Sequence, residues 1–423
     1  MPLAMKIFVF SSRPWGWRYH PSMSSAKAIV LPPDFSGFSF DTNILAALAL
    51  KLPLKSTNNS LSLVQEWFSK EYLNVELKDI QTLTIPSNST LWHLTIQLPI
   101  AMENGFISLV VPQDLSQLFL PLWVIEYWKW LSKFILRVTV WKSAVAWLSG
   151  NVHVLTGKGT DTRHLDMAVK EAQDLLALMP LGGQVQSEFV QAAVEIHRMS
   201  PLLSSGWIGT DLMDLMLECL SEQAAIDLDI ADFMQIRSLL LMRTIIDAFG
   251  ASYKGRSIPI LNHIVEKITS QRLKNLFLIG NMDENHWVTV EVDIDARCIW
   301  IGDSLNNDLK KLATTQLVVA LKAWLQEALG TLQVTNDLCH GTQLDGYSCG
   351  ICAINSIEHR IWPNTLLWSP QHRSLIRTEQ FCAISWRYLD QVSKQYQQAI
   401  LWDTSHRIYR PQQPWQWRQM TTN

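Results

Sequence analysis

Between residues 276 and 334 the spacing of apolar residues changes from the three-and-four step of helices to the two-residue step of strands. No other feature of this chain constrains its fold as strongly. Leu276-Phe277-Leu278-Ile279 is a continuous apolar run, and residues 286–292 alternate, with Val288, Val290 and Val292 on one face. A polar turn at 293–297 leads into Cys298-Ile299-Trp300-Ile301, which ends at Gly302-Asp303, and residues 332–334 supply one more short strand. Helical periods lie on both sides: 211–222 and 231–249 before the strands, then a helix capped by Asp308 that carries Leu309, Leu312, Leu321, Trp324 and Leu325 as far as Gly330. A last helix follows from 351, with Ile351, Ile354, Ile357 and Ile361 on one face. Strands grouped between helices, rather than alternating with them, predict an α+β fold.

The first 190 residues predict a separate, mainly helical region. Residues 62–72 fit a helix and 91–98 alternate like a strand. A long tryptophan-bearing helix runs through 115–148, and another through 166–179 stops at Pro180-Leu181-Gly182-Gly183. In the tryptophan-bearing stretch Glu126, Lys129, Lys133, Arg137 and Lys142 leave no window of about 18 uncharged residues, so no membrane span is expected. Lys129, Lys133 and Arg137 recur at spacing four, as the solvated stripe of an amphipathic helix does. The expected organisation is an N-terminal region at 1–190 with no assignable role, a second domain at 191–400 and a polar tail at 401–423. That division agrees with 423 residues at the usual domain size, and 48 % hydrophobic against 17 % charged residues suffices for packed cores.

Composition also narrows the partners and the compartment. A net charge of −3 provides no basic face, so no nucleic-acid partner is expected. Six cysteines spread over the C-terminal half are too sparse for a disulfide scaffold and fit free thiols in a reducing compartment, cytoplasm or nucleus. Lys6 interrupts the apolar run at 3–10 and no small-residue cleavage site follows, so no secretory leader is expected.

The chemistry concentrates at Gln343-Leu344-Asp345-Gly346-Tyr347-Ser348-Cys349-Gly350. Cys349 falls at the first turn of the last helix, where unpaired backbone N–H groups and the helix dipole favour a thiolate, the nucleophilic form of the side chain. His286 opens a strand after a polar loop, and Asp303 closes the next strand of an apparent hairpin. The imidazole would take the thiol proton and return it to a leaving amine, and the carboxylate would hold the ring. Gln343, six residues before Cys349, would offer its amide to a developing oxyanion. These groups are expected to meet in one hydrogen-bonded row beside a pocket, with no cofactor or metal. Cys349 and Cys352 also form a C-x-x-C, but without the preceding strand–helix–strand context of a redox motif. Cys339, His340, Cys349, Cys352 and His359 are zinc-ligand types that lack a second paired knuckle.

At these residues the sequence resembles the ubiquitin-like-protein (SUMO) protease family, relatives of adenovirus-type proteinases. The order His286-Trp287, Asp303, Gln343, Cys349-Gly350 and the Gln-to-Cys spacing match the family pattern, and 206–211 resembles its Trp-Leu-x-Asp segment with one extra residue before Asp211. The resemblance covers roughly residues 195–400. It implies a papain-like α+β fold with permuted motifs and a cysteine peptidase or isopeptidase cutting after the Gly-Gly tail of a ubiquitin-like, SUMO-type modifier. It also implies that Trp207 and Trp287 sandwich that tail. Ser348 stands where many members have Asp, and Gly209-Thr210 precede Asp211, two departures at the site itself. Two other functions use the same residues: acetyl transfer through the same acyl-thioester, and modifier binding by a catalytically silent scaffold.

Overall fold

The computed structural model describes residues 38–56, 64–111, 118–154, 160–249, 258–282, 285–305 and 308–401. The apolar run at 3–10 and the polar tail beyond 401 lie outside them. Two compact units emerge, Met1–Trp141 with Pro180–Gly182, and Lys142–Met179 with Gly183–Asn423.

The first unit contains α1 (Ile44–Leu48), β1 (Phe68–Ser69), α2 (Leu77–Ile80), α3 (Asn88–Glu103), β2 (Ser108–Val110), β3 (Phe119–Pro121) and the part of α4 (Val124–Val154) up to Trp141. The strands form an antiparallel sheet in the order β1-β2-β3. Two expectations fail here. Residues 91–98 lie inside α3 rather than in a strand: Leu91, Leu94, Leu98 and Ala101 are buried at helical spacing, whereas Trp92 and Ile96 are exposed. Ser87 starts that helix by accepting the Thr90 N–H at 3.2 Å. In the stretch read as a helix at 62–72, the described part is a 3-10 turn, Val64–Trp67, followed by β1, because Phe68 and Ser69 pair with Leu109 and Ser108. Among the described residues no helix is long and apolar enough to cross a membrane.

The second unit holds α5 (Thr160–Leu178), β4 (Gln184–Ser187), β5 (Ala192–Glu195), α6 (Thr210–Ile226), β6 (Met234–Ile236), α7 (Leu239–Phe249), α8 (Pro259–Thr269), β7 (Asn275–Met282), β8 (His286–Asp293), β9 (Cys298–Gly302), α9 (Leu309–Ala313), α10 (Gln316–Leu329), β10 (Gln333–Thr335), α11 (Cys349–Ile361) and α12 (Arg373–Leu401). Residues 142–179 group with it, ahead of the boundary expected at 190, since α5 packs on α12; there Trp386 Nε1 donates to Glu171 at 2.6 Å. The stretch 231–249 divides into β6 and α7 because β6 pairs with β7 and Asp214 accepts the Leu239 N–H at 2.7 Å, fixing a fresh helix start. The helix capped by Asp308 breaks after α9, where Thr315 caps α10.

The unit is α+β. Its main sheet runs β10-β9-β8-β7-β6, antiparallel through β7, β8 and β9 with a parallel strand at each edge. Alternate side chains go to opposite faces. Leu276, Leu278, Val288, Val290, Val292, Ile299 and Ile301 share one core with apolar residues of α7, α8 and α10. On β8 the intervening residues are buried too, and Thr289 Oγ1 donates to the Ala353 carbonyl of α11 at 2.9 Å, which seats that helix on the sheet.

Candidate active site

Cys349 is the first residue of α11, and Asp345 prepares that helix start. One Asp345 carboxylate oxygen accepts the N–H groups of Tyr347 and Ser348 at 3.0 and 2.8 Å, and the other accepts the Ser348 hydroxyl at 2.8 Å. A short side chain closing its own loop in this way holds the backbone for a helix to begin. The remaining N–H groups of the first turn have no partner within the helix.

The hairpin of β8 and β9 supplies the other two groups. Thr289 pairs with Gly302, so Asp303 follows β9 at the end of the sheet where His286 opens β8. His286 Nε2 and Asp303 Oδ1 lie 2.6 Å apart, and the same oxygen accepts the Leu305 N–H at 2.9 Å. Asp303 is buried, and Nδ1 of His286 is buried with no hydrogen-bond partner. With Nε2–H donating to the carboxylate, Nδ1 is the nitrogen left to meet a thiol proton. Burial by itself would lower the His286 pKa; the hydrogen bond and charge of Asp303, with the neighbouring Cys349, outweigh it and raise the value to about 9.

Gln343 is buried between the two segments. Its Oε1 accepts the Ser304 hydroxyl at 2.9 Å, its N–H donates to the Ser304 carbonyl at 3.0 Å, and its Nε2 donates to the Asp345 carbonyl. One amide N–H therefore ties Gln343 to the cysteine loop. Two residues earlier the backbone touches its neighbour: a Cβ on Gly341 would lie 2.2 Å from the Trp368 carbonyl oxygen. Only glycine fits there.

The pocket expected beside the row is closed. Cys349 is 1 % exposed, His286 9 % and Trp287 9 %. Next to Cys349, α6 and the residue Ile208 before it close on the chain: a Cβ on Gly350 would meet Met213 Sδ at 2.7 Å and Ile208 at 3.4 Å. Trp207, next to Ile208, is 55 % exposed. Trp207 thus stands at the surface, while Trp287 is interior beside His286, so the two tryptophans do not share one environment. A cavity of about 390 Å³ elsewhere in the unit, bounded by Gln186, Glu188 and Arg387, holds none of these groups.

Cys352 is buried one helical turn from Cys349, and burial raises its pKa, so it remains a thiol. Among the described residues no group of three or more His, Cys, Asp or Glu could hold a metal ion. Sequence reasoning missed Asp345, Ser304 and the α12 arginines. Asp345, three residues before a helix-opening Ser, carried a turn signal; Arg373 and Arg377 carried none.

No family model matches this sequence, and a search of curated proteins finds no match. Among solved structures, the chain is similar to the yeast C-terminal Ulp1 protease domain in complex with Smt3, the yeast orthologue of SUMO, at 14 % identity over 52 % of this chain and 93 % of that one, with a TM-score of 0.38. The Ulp1-like SUMO protease catalytic domain of Chaetomium thermophilum is 13 % identical over 48 % and 81 %, with a TM-score of 0.37. The Xanthomonas campestris effector XopD, bound to ubiquitin, is 17 % identical over 42 % and 91 %, with a TM-score of 0.30.

Proposed function

We propose that this chain is a cysteine peptidase or isopeptidase that cuts after the Gly-Gly tail of a ubiquitin-like modifier of SUMO type. One observation carries the proposal: a buried imidazole bonded to Asp303 through Nε2 at 2.6 Å, with its other nitrogen unpartnered and Cys349 acting on the same ring. In the proposed reaction Nδ1 of His286 takes the thiol proton and the sulfur attacks the carbonyl carbon of the terminal glycine. The oxyanion is met by N–H groups at the start of α11 and by the side-chain amide of Gln343. The imidazolium then protonates the leaving amine, and water, activated by the same ring, releases the acyl group from the sulfur. Cys349 is 1 % exposed, and Met213 and Ile208 close on the neighbouring Gly350, which favours a tail without side chains as the substrate needing least room.

The same enclosure favours a second reading, a catalytically silent modifier-binding protein. Fluorogenic modifier substrates and modifier vinyl-sulfone probes separate the two. Labelling of the wild type that disappears in Cys349→Ala is expected. A wild type that binds a modifier but is labelled by none of a panel, or a Cys349→Ala variant with undiminished turnover, would overturn the peptidase reading.

A further inference from the structure

Arg377 on α12 belongs to none of the motifs above, yet it reaches both sides of the site. Its guanidinium is completely buried, and its hydrogen bonds go to carbonyl oxygens. Nη1 donates to Pro201 at 2.8 Å and Ser204 at 3.0 Å, and Nη2 to Gly206 at 3.0 Å and Tyr347 at 3.4 Å. Three acceptors lie in the segment that leads into Trp207; the fourth lies two residues before Cys349. Arg373 strengthens the second connection, donating to the Tyr347 hydroxyl at 2.6 Å and lying 3.7 Å from the Asp345 carboxylate. The Tyr347 ring sits under both cations, 5.6 Å from Arg377 and 5.8 Å from Arg373.

Burying a guanidinium among neutral oxygens is costly, and here burial lowers the Arg377 pKa to about 10 although the Asp345 charge opposes the change. An apolar side chain of similar volume would fill the space without that cost. What it would lack is a planar fork able to bind carbonyls of two separate segments at once, which a lysine ammonium also lacks. We propose that Arg377 is a positioning residue that fixes the Trp207 segment against the Cys349 loop, and so governs how a substrate reaches the buried sulfur. The link to substrate passage rests on the peptidase reading; the positioning itself does not.

Amide hydrogen exchange of the full chain tests the positioning without any substrate, comparing the wild type with Arg377→Met and Arg377→Lys. In the Met variant, exchange at 202–208 and 345–348 is expected to accelerate about tenfold or more, as loss of hydrogen bonds from a charged donor implies, with β7, β8 and β9 unchanged. The Lys variant is expected to fall between. Small alkylating agents should reach Cys349 faster in the Met variant. With a modifier substrate, KM should rise about tenfold while kcat is largely kept, the pattern of lost binding rather than lost chemistry. Unchanged exchange at both segments would overturn the inference. So would acceleration spread evenly through the sheet, or failure of both variants to fold, since either makes Arg377 a general core strut. A wild type without peptidase activity would remove the peptidase reading and leave the exchange result to decide the role of Arg377.

Discussion

Replacing Asp303 with Asn tests the charge arrangement at the site most directly. The substitution keeps the size of a side chain that is 2 % exposed and keeps an acceptor for the Leu305 N–H, but removes the negative charge. In the wild type the His286 pKa is raised from 6.5 to about 9, a net preference for the imidazolium of roughly 3 kcal/mol at 1.36 kcal/mol per unit. Burial acts in the other direction, and Asp303 is the main group opposing it. Without the carboxylate the value should fall by one to two units or more, on the order of 2 kcal/mol. The alkaline limb of kcat/KM, which reports loss of the proton that the leaving amine needs, should then move from about 9 toward 7. At pH 8, kcat/KM should drop on the order of 10²- to 10⁴-fold, as for an imidazole that loses its orienting acid. Stability should change in parallel. A folded pKa above the unfolded value contributes stability fully below pH 6.5 and loses it as pH rises through about 9, so the wild type should weaken over that range more than the variant. A pH–rate profile and urea denaturation at pH 6 and 9.5 measure both effects. An alkaline limb that stays in place in Asp303→Asn would refute the assignment of His286 as the proton carrier tuned by Asp303.

Two further variants probe buried charges outside the proposed chemistry. Asp214 is buried, and burial, aided by Glu218 and Asp211 against the Leu239 N–H, raises its pKa from 3.8 to about 6. A raised carboxyl pKa makes the folded state lose stability as pH climbs from 3.8 to 6, so Asp214→Asn should stabilise by up to about 3 kcal/mol at pH 7.5 and by little at pH 4 in urea denaturation. Glu291 is 1 % exposed and accepts from Arg360 at 2.8 and 3.2 Å and from Asn275 at 2.8 Å. Arg360→Ala strands that carboxylate and should destabilise by roughly 2–4 kcal/mol, most of it recovered when Glu291→Gln is added.

What the sequence made legible follows from the range of the forces involved. The strands at 276–279, 286–292 and 298–301 and the helix of Cys349 announce themselves because burial repeats at a fixed step along a few neighbouring residues. The stretch 91–98 misled because Leu91, Leu94 and Leu98 share a helical face while Trp92 and Ile96, apolar but exposed, complete a false alternation. Residues 231–249 misled for a different reason: β6 exists through its pairing with β7, a partner some forty residues away that no local period reports. The arginines of α12 lie further out of reach, since Arg377 meets carbonyls more than 170 residues earlier in the chain, and backbone acceptors leave no mark on composition.

Ser348 shows how a local departure from a family pattern is read differently once its partners are known. Many members of the family resembled have an acid immediately before the cysteine, and by sequence alone a serine there removes a negative charge from the helix start. Here the Ser348 hydroxyl donates to Asp345, whose carboxylate also binds two backbone N–H groups of the same loop and stands 3.7 Å from Arg373. The acid of this loop therefore lies three residues before the serine and reaches the helix start through it. That placement brings the charge to Arg373 of α12. The loop before Cys349 is thus coupled to the same helix whose other arginine binds the segment leading into Trp207, and the helix start and that segment both lean on one element, α12.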